Sequence, residues 1–167
     1  RWAKRIIAER DALDQTLTSM RGGLSGTLRI GAIPTALSVS SLLTGPLHRK
    51  HPQVKFLLES MTSREITTRL NDFDIDVGMT YVDGEPLGRV RMVPLYEERY
   101  LFLTPVDGEF GARTSLTWEE AATASLCQLT SDMQNRRIID GFLADTGREA
   151  KVTVETDTVS AIYAHVA

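Results

Sequence analysis

Five hydroxyl side chains stand where a ligand could be held. Thr35, Thr62, Ser63, Thr130 and Ser131 each follow an apolar run that reads as a strand and precede a pattern that reads as a helix. A hydroxyl at such a junction lies beside the unpaired N–H groups of the first helical turn and the positive end of the helix dipole. That setting favours an anion. Any one of these residues is equally well explained as an N-cap, whose oxygen accepts a hydrogen bond from a first-turn N–H. Three junctions with the same chemistry, at the same topological edge, point further. They predict a neutral, donor-rich cleft between two lobes, suited to a carboxylate or small oxyanion.

Other chemistries find less support. His48 and His51 are spaced i, i+3 and could share a metal, but no carboxylate or thiol completes a set. They read as solvated residues at a helix end, and His165 stands far from both. Asp72, Asp74 and Asp76 alternate, yet Asp76 falls inside a strand pattern, so the run reads as a polar turn feeding that strand. Cys127 is the only cysteine. Flanked by Leu126 and Leu129, it reads as a buried, inert thiol. No nucleophile elbow, phosphate-binding loop or dinucleotide fingerprint is present, so neither an enzyme nor a bound metal or cofactor is expected.

The elements that must position the hydroxyls alternate in type. Residues 27–33 form the strand on which the chain is organised. Leu28, Ile30, Ala32 and Ile33 are its buried positions, and Pro34 ends it for want of an N–H. Thr35 and Ser38 are first-turn or capping candidates for the helix that follows. That helix is expected over 38–51, kinked or restarted at Gly45-Pro46, with Leu42, Leu43 and Leu47 toward the sheet. Then come a strand at 54–60, a helix at 63–71 capped by Thr62 or Ser63, and a strand at 75–80. Two further strands are expected at 90–95 and 98–103. A second lobe then opens with a capping box, Thr117 and Glu120, and runs through a strand at 126–129, a helix at 135–146 stopped by Gly147, a strand at 151–155 and a helix from Thr158. Strands alternating with helical crossovers predict parallel sheets and an α/β fold.

Ahead of all this, residues 1–20 read as an amphipathic helix with Trp2, Ile6, Leu13, Leu17 and Met20 on one face. Gly22-Gly23 and Ser25-Gly26 separate it from the first strand. A tethered helix of this kind is expected to pack on a partner chain rather than on its own domain. The whole chain has 167 residues, 42% of them apolar and 25% charged, with a formal net charge of −3. That balance fits a soluble globular protein and argues against nucleic-acid binding by this chain. No apolar run reaches the length of a membrane span, and the charged N-terminus is unlike a signal peptide. A cytoplasmic setting is expected. Both ends fall within helical patterns, as though cut from a longer protein.

As a set, several stretches carry a resemblance. They are the helix and glycine-rich hinge, Gly26-Thr27-Leu28-Arg29-Ile30-Gly31, His51-Pro52-Gln53-Val54, 70–78 (LNDFDIDVG), 94–103 (PLYEERYLFL) and Asp145-Thr146-Gly147. Together they resemble a LysR-type transcriptional regulator over essentially the whole chain. The resemblance implies a linker helix (1–23) followed by a two-lobed effector-binding domain similar to periplasmic binding proteins, with lobe I at 24–104 and an incomplete lobe II at 105–167. It implies an effector site between the lobes, with ligands from Thr35, Thr62, Ser63, Thr80, Thr130 and Ser131, and with Asp157 and Thr158 beside it. It implies that DNA is bound only through a helix-turn-helix ahead of the linker helix, which this chain lacks. In the peroxide-sensing branch a reactive cysteine follows the second-lobe strand. Gln134 matches that point here, so peroxide sensing is not expected. The rival reading is a periplasmic-type solute-binding protein, which shares the two-lobed fold but has no use for the amphipathic helix.

Overall fold

The computed structural model describes residues 6–7, 9–11, 13, 24–83 and 90–166. The chain divides into two compact units, Arg1–Met92 and Val93–Ala167. In the first unit the order is β1 (Gly26–Ala32), α1 (Pro34–Leu37), α2 (Ser41–Lys50), β2 (Val54–Ser60), α3 (Ser63–Asn71) and β3 (Val77–Met79). The three strands form a parallel sheet in the order β2-β1-β3. The register sets Ile30 against Leu58 on one side and Val77 on the other.

Being central, β1 is buried most. Its exposure falls along the strand until Ile30, Gly31 and Ala32 are all buried. Around them gather Ile33, Ala36, Met61, Ile66, Ile75 and Met79, so the core lies toward the C-terminal end of the sheet. Helix α3 closes it through Ile66, which is fully buried. Its close approach depends on Gly78, and the core above the sheet packs as tightly on Gly31, its partner across the ladder. A Cβ at Gly78 would fall 2.5 Å from Ile66 Cγ2 and 3.0 Å from Leu70 Cδ1; one at Gly31 would fall 2.8 Å from both Ile75 Cδ1 and Met61 Sδ.

The end of α3 departs from the usual chemistry. Asp74 N–H donates to the Arg69 carbonyl at 2.8 Å and Phe73 N–H to that of Leu70 at 3.2 Å. This is the Schellman arrangement, whose left-handed residue is usually glycine. Here it is Phe73, at φ 61°.

The helix expected over 38–51 is broken earlier than its proline. The Ser38 and Ser40 hydroxyls donate to the carbonyls of Thr35 and Leu37 at 2.9 and 2.7 Å. They compete with the helical ladder there, and α2 begins only at Ser41. Pro46 then lies inside α2. The carbonyl it leaves without an amide donor belongs to Leu42, a residue 73% exposed, where water can serve instead.

The second unit contains α4 (Trp118–Ala121), β4 (Ser125–Leu129), α5 (Gln134–Ala144), β5 (Lys151–Thr156) and α6 (Val159–Val166). Strands β4 and β5 pair in parallel with an irregularity between Leu126 and Cys127. Ala121, Ala122, Leu129, Met133 and Leu143 are buried. Trp118 stacks on Phe142 at 4.9 Å, with Tyr100 edge-on to both. Helix α5 is followed by Gly147 in the left-handed region at φ 68°.

The strands expected at 90–95 and 98–103 do not form. These residues are described and join no sheet, and Leu95, Leu101 and Leu103 remain exposed. Alternating apolar residues make a strand only where a neighbouring strand accepts their hydrogen bonds. The other expected strands and helices appear within a few residues of their predicted bounds. Of the N-terminal helix, the described residues are helical, and Ile6 and Leu13 are 65% and 58% exposed. Trp2, Leu17 and Met20 lie outside the described residues.

Candidate functional site

Two main-chain bonds beyond the ladder gather the strand ends of the first unit. Met61 N–H donates to the Ala32 carbonyl at 2.9 Å, and Ile33 N–H to that of Met79 at 3.0 Å. Thr35, Thr62, Ser63 and Thr80 therefore leave the sheet along one edge. The chain passes from β1 to β2 and then back across β1 to β3. The ends of β1 and β3 thus flank the point where strand order reverses, which is where open α/β sheets take their ligands.

Each hydroxyl has its own standing on that edge. Ile33 is the N-cap of α1 and Pro34 its first residue, so Thr35 is not a cap. Its Oγ1 is buried with no hydrogen-bond partner among the described residues. Ser63 and Thr80 are brought together, with Thr80 Oγ1 donating to Ser63 Oγ at 2.9 Å. Ser63 is 1% exposed. Thr62 is engaged in a full capping box. Its Oγ1 accepts from Glu65 N–H at 3.2 Å, and its own N–H donates to Glu65 Oε2 at 2.9 Å. The spacing Thr62-x-x-Glu65 is the readable signature of that box.

In the second unit Thr130 and Ser131 stand differently. They follow β4, but the N-cap of α5 is Met133, which makes no side-chain cap bond. The expectation that these hydroxyls lie directly beside a helix N-terminus is therefore not met. Thr130 N–H donates to the Thr156 carbonyl at 3.0 Å, and the Thr130 carbonyl accepts from Met133 N–H at 3.0 Å. Ser131 is exposed. Just before them, the buried Gln128 has no partner for its Oε1 among the described residues. Thr158 caps the last helix, accepting from Ala161 N–H at 3.3 Å.

Arg136 is the residue that sequence reasoning missed. Its side chain is 11% exposed. Nε donates to both oxygens of Asp140 at 2.8 Å, and Nη1 to the Leu129 carbonyl at 2.9 Å and to Glu155 Oε1 at 2.5 Å. Burial works against the charge, but the bonds to Glu155 and Asp140 outweigh it, and the guanidinium is held above the ordinary arginine range. Nothing in the spacing of Leu129, Arg136 and Glu155 announces this.

The candidate metal residues resolve into structural pairs. Asp76 accepts from the Arg29 main-chain N–H at 2.8 Å and from its guanidinium at 3.0 Å. That hydrogen bond is the leading reason the Arg29 guanidinium is held above its ordinary value. His48 lies edge-on to Phe56 at 6.4 Å. Among the described residues no group of three or more His, Cys, Asp or Glu is placed to hold a metal. Cys127 is half-buried in β4. An open depression of about 530 Å³, lined by Thr44, His48, Val54 and Phe56 among others, lies beside the start of β2 and includes none of the candidate hydroxyls. No helix among the described residues is long and apolar enough to cross a membrane.

Comparison with known proteins gives these features a family. The LysR substrate binding domain family matches residues 21–167. An uncharacterized helix-turn-helix transcriptional regulator, YfeR of Shigella flexneri, is 24% identical over 161 residues, which is 94% of this chain and 52% of the relative. The chain thus spans about half the length of the curated relatives it matches. Among solved structures, the effector-binding domain of QuiR in complex with shikimate is similar at a TM-score of 0.71 and 17% identity, over 85% of this chain and 69% of that one. The H2O2-bound C206S mutant of Corynebacterium glutamicum OxyR is similar at 0.72 and 20% identity, over 99% of this chain and 52% of that one. The structural likenesses show an α/β fold of the periplasmic-binding-protein-like type found in effector-binding domains, and the family match favours such a domain over a free-standing solute-binding protein. The chain belongs to the LysR substrate binding domain family.

Proposed function

We propose that this chain is the sensory part of a cytoplasmic LysR-type regulator, binding a small carboxylate or oxyanion. The observation that carries the reading is the strand edge of the first unit. There the Thr35 hydroxyl is buried with no hydrogen-bond partner among the described residues, on the same strand edge as the Ser63–Thr80 hydroxyl pair. An unsatisfied buried hydroxyl is unfavourable by about 1–3 kcal/mol, and a ligand that bonds to it relieves that penalty. Thr62 contributes by fixing the start of α3. Thr130 and Ser131 are the hydroxyls that the second unit contributes in this reading, and no catalytic step is involved. The shikimate bound by QuiR supports the carboxylate class; the peroxide bound by OxyR shows that the fold alone does not choose the effector.

In this reading the effector selects one of two conformations by binding it more tightly. The linker helix, with Ile6 and Leu13 exposed in the single chain, passes that choice to a homodimer or homotetramer. DNA is contacted only by a helix-turn-helix elsewhere in the full protein. The test is a thermal-shift screen of small carboxylates on the wild type and Thr35→Val. At least one compound should raise the wild-type melting temperature and raise that of the variant much less. Equal stabilisation of both, or of neither by any compound, would count against the site.

A further inference from the structure

We infer that Arg136 is a positioning residue, which sets the shape of the loop 130–133 that the second unit offers to its effector. The inference rests on the effector reading above and deepens it. Loop 130–133 carries Thr130 and Ser131, yet the N-cap of α5 is Met133, which makes no side-chain cap bond. The loop is held instead through its main chain. Arg136 Nη1 fixes the Leu129 carbonyl at 2.9 Å, and Arg137 Nη1 the Asp132 carbonyl at 2.6 Å. Thr130 is bonded at its N–H by Thr156 and at its carbonyl by Met133.

The placing of Arg136 breaks a local rule. The first turn of α5 contains no acidic residue and does contain this cation, opposite to what the helix dipole favours. The conflict is offset by Asp140 and Glu155, which bring two negative charges to a guanidinium that is nearly buried. A residue that breaks a local rule with such compensation is expected where function requires it. Only a forked, planar cation can donate in these directions at once. A lysine ammonium is a point charge and cannot span the Leu129 carbonyl, Asp140 and Glu155 together. Arg136 points into this cluster, so it shapes the site rather than pairing with the effector.

The test combines amide hydrogen exchange with ligand binding on the chain as it stands. Wild type, Arg136→Gln and Arg136→Lys are compared, with Glu155→Gln as a milder variant should the others fold poorly. The binding probes are shikimate, lactate, acetate and inorganic phosphate. Exchange at Thr130 and Met133 should speed by about tenfold in both Arg136 variants, while amides of the first unit such as Met61 stay within twofold. The probe that stabilises the wild type most should bind both variants about tenfold more weakly, with no rescue by lysine. Unchanged loop exchange, or a loosened loop with unchanged affinity, would overturn the inference. A wild type that answers none of the four probes, with a loop that still loosens, would uphold the positioning by Arg136 and tell against the effector reading instead.

Discussion

The two units place hydroxyls after parallel strands by opposite means. The first unit works with neutral groups and tight packing. Helix α3 is started by the Thr62–Glu65 box and pressed onto Gly31 and Gly78. The second unit works with charge. Helix α5 starts without a side-chain cap and is held by Arg136 through Asp140, Glu155 and the Leu129 carbonyl. Even their helix ends differ, since Phe73 takes the left-handed position after α3 and Gly147 the one after α5. The difference teaches that a shared topology dictates where a ligand edge lies but not which forces hold it. Packing tolerates little change in volume, whereas a charge cluster tolerates volume and depends on the shape of its donors.

The sharpest way to break the comparison is Gly78→Ala. Its Cβ meets Ile66 Cγ2, an atom attached directly to the stem of a fully buried side chain. The first unit should lose about 1–3 kcal/mol, measured as a lower denaturation midpoint reported by first-unit amides, with the second unit unaffected. A uniform loss across both units would contradict independent packing. Exchanging the helix ends comes next. Phe73→Gly should stabilise the first unit by up to about 1 kcal/mol by removing a left-handed side-chain residue, and Gly147→Ala should destabilise the second by a similar amount. If Phe73→Gly destabilises instead, the exposed Phe73 ring contributes more than its backbone costs.

The smallest effect concerns acid. The Glu120 carboxyl is held below its ordinary value, first by the Thr117 main-chain N–H and then by Arg113. A carboxyl whose folded value is depressed contributes stability that is fully present above its unfolded value, near 4.5, and is lost as pH falls through the lower folded value. Glu120→Gln should therefore lower the stability of the second unit slightly at neutrality, with the difference from wild type closing as pH falls below about 4.5. Thermal melts of both proteins between neutral and strongly acid pH would show it, and parallel curves would exclude this contribution.

Where local chemistry decides, the sequence was readable. The strand Val54–Ser60 and the helix Ser63–Asn71 have the bounds that apolar spacing and the Thr62 junction predict. The box at Thr117 and the stop at Gly147 are local signals too. Features that depend on distant residues were not readable. Residues 98–103 have a strand's alternation but join no sheet. The Gly31–Gly78 contact depends on register across two crossovers, and the Arg136–Glu155 pair spans 19 positions. In the candidate site the same division holds. The junction positions of Thr35, Thr62 and Ser63 follow from spacing, whereas the Ser63–Thr80 bond and the unpartnered Thr35 hydroxyl follow from how strand ends converge.

The paired glycines have a mechanical consequence. With no Cβ on the sheet side, Ile66 and Leu70 sit against main chain, and no soft side-chain layer lies between helix and strands at that point. Helix α3 cannot roll or slide there without separating from the sheet. A displacement at Ser63, three residues from Ile66, would therefore be shared between helix and sheet rather than taken up by side chains between them.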